Sequence, residues 1–161
     1  MTTPEERLAA LGLELPPVAA PLAAYVPAVR SGAHVHTSGQ LPSVGGVLVA
    51  TGKVGTGAGA GVSPDDAKAA ARICALNALA AVRSVVGELS NVVRVVKVVG
   101  FVASTPDFTG QPGVVNGASE LLGEVFGGAP GGAGLHARSA VGVAVLPLDA
   151  PVEVELVVEV R

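Results

Sequence analysis

Tryptophan is absent from this chain of 161 residues, and one tyrosine and three phenylalanines are its only aromatic side chains. There is no series of rings on which bases could stack, the ten Lys and Arg residues form no stripe, and the net charge is −3. Together these absences argue against nucleic-acid binding. One cysteine, Cys74, excludes an internal disulfide. Flanked by Ala, Ile and Leu, it reads as a buried, inert thiol rather than a nucleophile. The strongly apolar stretches are broken by Arg, Lys, Gly or Pro before the ~18 residues a membrane helix needs. The start, MTTPEERLAALGLELPP, carries acids where a signal peptide has its apolar centre. The expectation is a single cytoplasmic domain spanning 1–161, with residues 1–20 as an N-terminal extension.

Charge is scarce as well, at 14% of residues, where about 25% is usual. A monomer so poorly charged would expose much apolar surface, which favours an oligomer. What is abundant is valine and alanine, with 22 glycines and 12 prolines as punctuation. Thr3 to Leu11 reads as a short helix with Thr3 as cap and Pro4 in the first turn. Tyr25 to Ala50 reads as an antiparallel meander with turns at Ser31-Gly32 and Gly45-Gly46. Ser63-Pro64-Asp65-Asp66 opens a helix to about Val86, with Ile73, Leu76, Leu79 and Ala80 as its buried stripe. VVRVVKVVGFVAS (92–104) is the central strand; Arg94 and Lys97 are an odd number apart, so they should face opposite sides unless one lies outside the strand. A second helix spans about 113–125. Strands at 137–146 and 152–160, joined by LPLDAP, form an expected hairpin. The order predicts an α+β domain with a mixed sheet and both long helices on one face.

Residues 136–155, HARSAVGVAVLPLDAPVEVE, hold one arginine at the mouth of an apolar ribbon, with glutamates returning only after a Leu-Pro turn. A guanidinium there could grip a carboxylate through two parallel hydrogen bonds, or could pair structurally with Glu153 or Asp149. His34 and His36 share a strand face, but a catalytic metal usually takes three protein ligands and His136 is distant in sequence, so they read as exposed edge-strand residues and no metal site is expected. GTGAGAG lacks the phosphate-loop spacing.

The blocks YVPAVRSG…TSGQLP, RVVKVVGFVASTPDF, VVNGASELLGEVFG and ARSAVGVAVLP…VEVE occur in an order that resembles the RidA/YjgF superfamily, whose older label is endoribonuclease L-PSP. The resemblance covers Tyr25 to Val160. It implies a chorismate-mutase-like fold with a six-stranded mixed sheet, assembled as a homotrimer with clefts between subunits. In the best-studied branch it implies hydrolysis of enamines and imines such as 2-aminoacrylate to a 2-keto acid and ammonia, with no metal or organic cofactor. By resemblance, Arg138 falls on the arginine that grips the substrate carboxylate and Glu153 on the acid that positions or activates water. Tyr25 falls on a tyrosine reaching the neighbour's cleft, Asn116 on a helix asparagine lining the site, and Gly39 on a glycine whose backbone approaches the ligand. Three positions depart from the family: Ala140 replaces a frequent cysteine, Gly142 a frequent glutamate, and Ala23-Ala24 precede the tyrosine in place of Gly-Pro. The expected partners are therefore a small carboxylate-bearing ligand and sister subunits. The function classes are a 2-imino acid deaminase, a non-catalytic binding or sensor protein of the same fold, and, more remotely, an endoribonuclease.

Overall fold

The computed structural model describes residues 2–161. Helix α1 (Pro4–Ala10) begins with a reciprocal cap: the Thr3 hydroxyl accepts from the Glu6 amide and Glu6 Oε2 accepts from the Thr3 amide. It docks through Glu5, which accepts from the Leu89 amide, and through Arg7, which donates to the Val125 carbonyl. Strands β1 (Ala28–Ser31) and β2 (His34–Thr37) form the first hairpin. Strands β3 (Ser43–Val44) and β4 (Val47–Leu48) form a separate two-stranded ribbon across the Gly45-Gly46 turn. Helix α2 (Pro64–Val86), strand β5 (Val92–Ala103), helix α3 (Gln111–Phe126), strand β6 (Ala137–Val143) and strand β7 (Val152–Val160) complete the chain.

The main sheet has five strands in the order β1-β2-β7-β5-β6, not the expected six, because the β3–β4 ribbon does not join it. The expected hairpin of the last two strands does not form either. β6 lies parallel to β5, whereas β7 lies antiparallel on the other side of β5. The Leu-Pro link instead carries the chain past the end of β5, through a turn in which Leu148 and Asp149 have φ of 58° and 59°. Strand β7 shows why it takes the centre: Val152, Val154, Leu156, Val158 and Val160 are buried, while Glu153, Glu155, Val157 and Glu159 are half-exposed on the other face. β2 is thus an inner strand, and His34 and His36 are exposed on the open sheet face rather than at an edge. Arg94 and Lys97 also share that face, since they pair with Glu159 and Val157. A bulge between Val95 and Lys97 absorbs one residue and restores the alternation.

Helices α2 and α3 cover the opposite face. The buried row of α2 is Ala67, Ala71, Cys74, Ala78 and Val82 with Leu79 and Ala80; Ile73 and Leu76 are only half-buried. Small side chains are needed where two helices and a sheet approach closely. The closest point is Gly117 of α3, where an added Cβ would run into the Lys68 carbonyl of α2. Lys68 and Arg72 reach across to Glu120 and Glu124 at 2.9 and 2.6 Å. By length and composition α2 could cross a membrane, but its alanine face is packed in the core. Burial among these residues pushes the Cys74 thiol well above its usual range.

Candidate functional site

The predicted site residues fall into two groups on opposite sides of the sheet. Arg138 pairs with Val98 of β5, whose side chain faces the helices, so the guanidinium lies between edge strand β6 and α3. Its Nη1 donates to Asn116 Oδ1 at 2.8 Å and to Ser119 Oγ at 3.2 Å, and its Nη2 donates to the Pro112 carbonyl at 3.2 Å. These bonds occupy three of the five guanidinium N–H groups and leave Nε–H and one N–H of Nη2 without an acceptor among the described residues. Arg138 makes no ion pair among the described residues, so the structural alternative of pairing with Glu153 or Asp149 is not what the chain adopts.

Glu153 points to the open face, paired with Phe101. Its carboxylate lies against Gly39, where any Cβ would collide with it. Half-burial, and then the like charge of Glu155, push its carboxyl above the usual range. No hydrogen bond joins that carboxylate to another described residue. Gly39 and Tyr25 line a cavity of about 450 Å³ walled by Pro16, Leu22, Leu41 and Leu148. The Tyr25 hydroxyl accepts from the Leu22 amide at 3.2 Å and the ring is 46% exposed, so its outer edge is free to meet another surface. The structure therefore brings Arg138 to Asn116, and Glu153 to Gly39 near Tyr25, but does not bring the two groups together within one chain.

Two further residues belong to the arginine cluster: Ser119, which no motif singles out, and His136, considered above only as a metal ligand. Ser119 and His136 extend the arginine cluster: Ser119 Oγ lies 2.9 Å from His136 Nε2, and His136 Nδ1 lies 2.7 Å from the Gly134 carbonyl. The signal available in the sequence was the short spacing between His136 and Arg138, but the long separation from Ser119 hid the contact. The departures at Ala140 and Gly142 follow Arg138 along the same face of β6. Over Gly142 the space is filled by Gln111 and Ser104, whose side chains would contact a Cβ there at 2.8 and 2.9 Å.

A helix-backed α+β sheet with an anchored arginine on its edge strand and an unpaired glutamate on its open face defines the class. The family model described as "YjgF/chorismate_mutase-like, putative endoribonuclease" matches residues 5–160, and the chain belongs to that family. The match takes in helix α1 and the proline-rich segment that follows it. Protein TCP17 of Trypanosoma cruzi is 47% identical over 153 residues, covering 94% of this chain and 90% of the relative. The crystal structure of Atu1372 from Agrobacterium tumefaciens, a protein of unknown function, is 45% identical with a TM-score of 0.86, over 98% of this chain and 92% of that one. A "putative endoribonuclease" from Shewanella oneidensis is 37% identical with a TM-score of 0.90, over 98% and 99%.

Proposed function

We propose that this protein binds a small carboxylate-bearing acid in clefts between copies of itself in a homotrimer, and hydrolyses 2-imino acids and their enamine tautomers to 2-keto acids and ammonia. The observation that carries the reading is Arg138: a cation held by neutral acceptors on three N–H groups, with two left for a ligand carboxylate and no carboxylate of the described residues paired with it. Its fork binds the acid and fixes the C=N carbon. Glu153 takes a proton from water as the oxygen attacks that carbon, giving a carbinolamine. Proton transfer to nitrogen then lets the C–N bond break, ammonia leaves and the C=O bond forms. The raised pKa of Glu153 suits a base, because a more basic carboxylate accepts the water's proton more readily. Arg138 and Glu153 lie on opposite sheet faces of one chain, so the reaction requires Arg138 of one copy to face Glu153 of another. That requirement agrees with the intersubunit clefts the family resemblance implies.

The test generates 2-aminoacrylate and other 2-imino acids in situ and follows keto-acid release. Wild type should accelerate it and Arg138→Ala should not; equal rates for the two contradict the proposal. A binding protein without turnover is the second reading, favoured by Gly142, where Gln111 and Ser104 occupy the place a catalytic side chain would need. Saturable 2-keto acid binding with no acceleration selects it. The relatives' endoribonuclease label is tested in the same preparation: RNA cleavage that survives purification and disappears in Arg138→Ala would support that activity.

A further inference from the structure

We propose that Ser119 and His136 are positioning residues that lock the orientation of Arg138, and so set the affinity of its site for a carboxylate. The inference rests on the reading of Arg138 given above for its functional meaning, but its geometry stands independently. Arg138, Ser119 and His136 line one open cavity of about 620 Å³ together with Glu120, Glu124 and Leu135.

With a neutral ring, the series Gly134, His136, Ser119, Arg138 has one set of hydrogen-bond directions. The Gly134 carbonyl can only accept, so His136 Nδ1 carries a proton. In the neutral ring Nε2 is then an acceptor, and Ser119 must donate its hydroxyl proton to it. The Ser119 oxygen thereby turns its lone pairs away from the ring, where it accepts from Arg138 Nη1, a group that can only donate. Half-burial, opposed by the bond to Gly134 and reinforced by Arg138, holds the His136 pKa below its ordinary value, and the neutral form is the one this arrangement needs. The charged and titratable groups facing the ring are Arg138 on β6, and Glu120 and Glu124 on α3, bound to Lys68 and Arg72 of α2. Across the ring lie His34, Arg94 and Glu159. Asn116 and Pro112 each take one N–H, on Nη1 and Nη2, and Ser119 takes the second N–H of Nη1, the third contact that fixes the plane of the guanidinium.

Two measurements decide the proposal. In the wild-type protein, long-range 1H–15N NMR should show neutral His136 protonated on Nδ1, and the Arg138 guanidinium should rotate several-fold more slowly than in Ser119→Ala. An Nε2-protonated ring, or equal rotation rates, overturns the proposal whether or not any ligand binds. Titration with pyruvate and 2-oxobutyrate should then give an affinity about tenfold weaker for Ser119→Ala, the loss expected of one charge-assisted hydrogen bond. Ser119→Thr should restore it, with all variants melting within a few degrees of wild type. If Arg138→Ala abolishes binding while Ser119→Ala binds like wild type, this inference fails and the function stands. If Arg138→Ala binds like wild type, the functional reading fails and the NMR result alone decides the positioning role.

Discussion

Arg138 should be read out by ligand affinity and Glu153 by the pH dependence of stability. Arg138→Lys keeps the charge but loses the planar fork that meets Asn116, Ser119 and Pro112 at once. It should weaken 2-keto acid binding nearly as much as Arg138→Ala, about 10–100-fold by isothermal titration, as expected for losing one or two charge-assisted bonds. For Glu153 the folded-state pKa is raised, so between the ordinary carboxyl value and the raised one the folded chain holds the proton that the unfolded chain has lost. Stability then falls as pH rises through that window. Glu153→Gln removes the penalty: at pH 7 it should melt no lower than wild type while losing keto-acid release. A variant that is both inactive and markedly less stable at pH 7 contradicts the assignment of Glu153 as an unpaired functional carboxylate.

Among the elements, α3 gives the sharpest contrast, because two of its glycines should respond with opposite signs. Gly117→Ala drives a methyl into the Lys68 carbonyl and should destabilise the fold by about 1–3 kcal/mol in calorimetry. Gly123→Ala meets only ordinary contact, with the nearest atom at 3.5 Å, and should stabilise it by about 1 kcal/mol through helix propensity. Both glycines looked alike in the sequence; the difference lies in which one faces α2. The same distinction marks what could be read in advance. Capped helix starts at Thr3 and Ser63, the β-branched run of β5 and the alternation of β7 are local signals, and the elements stand where they point. Strand partners are not local. A short Leu-Pro link predicts a hairpin, yet β5 lies between β6 and β7, parallel to the first and antiparallel to the second. A bulge that reverses one side chain, as between Val95 and Lys97, leaves no mark on the pattern of residues. Arg138, Asn116, Glu153 and Gly39 were legible through short motifs and family likeness, whereas Ser119 and His136 became visible only when α3 packed beside β6.

At the scale of the molecule, the helices bury one sheet face and leave the other open. That open face mixes Val29, Val141, Phe101 and Val99 with Glu153, Glu155 and Glu159. Val44, Val47, Val145 and Leu148 stand out on the ribbon and the crossover turn, each more than 60% exposed. Apolar surface on this scale belongs at an interface, and the proposed reaction, with its two groups split across the sheet, requires association. Sedimentation should give a species of three times the 15.7 kDa of one chain; a stable monomer that is still active would contradict the shared site. The most direct test of the central claim is keto-acid release from 2-imino acids generated in situ, wild type beside Arg138→Ala. The prediction is acceleration by wild type alone, across at least one member of the substrate panel. Acceleration that survives loss of Arg138 would contradict it.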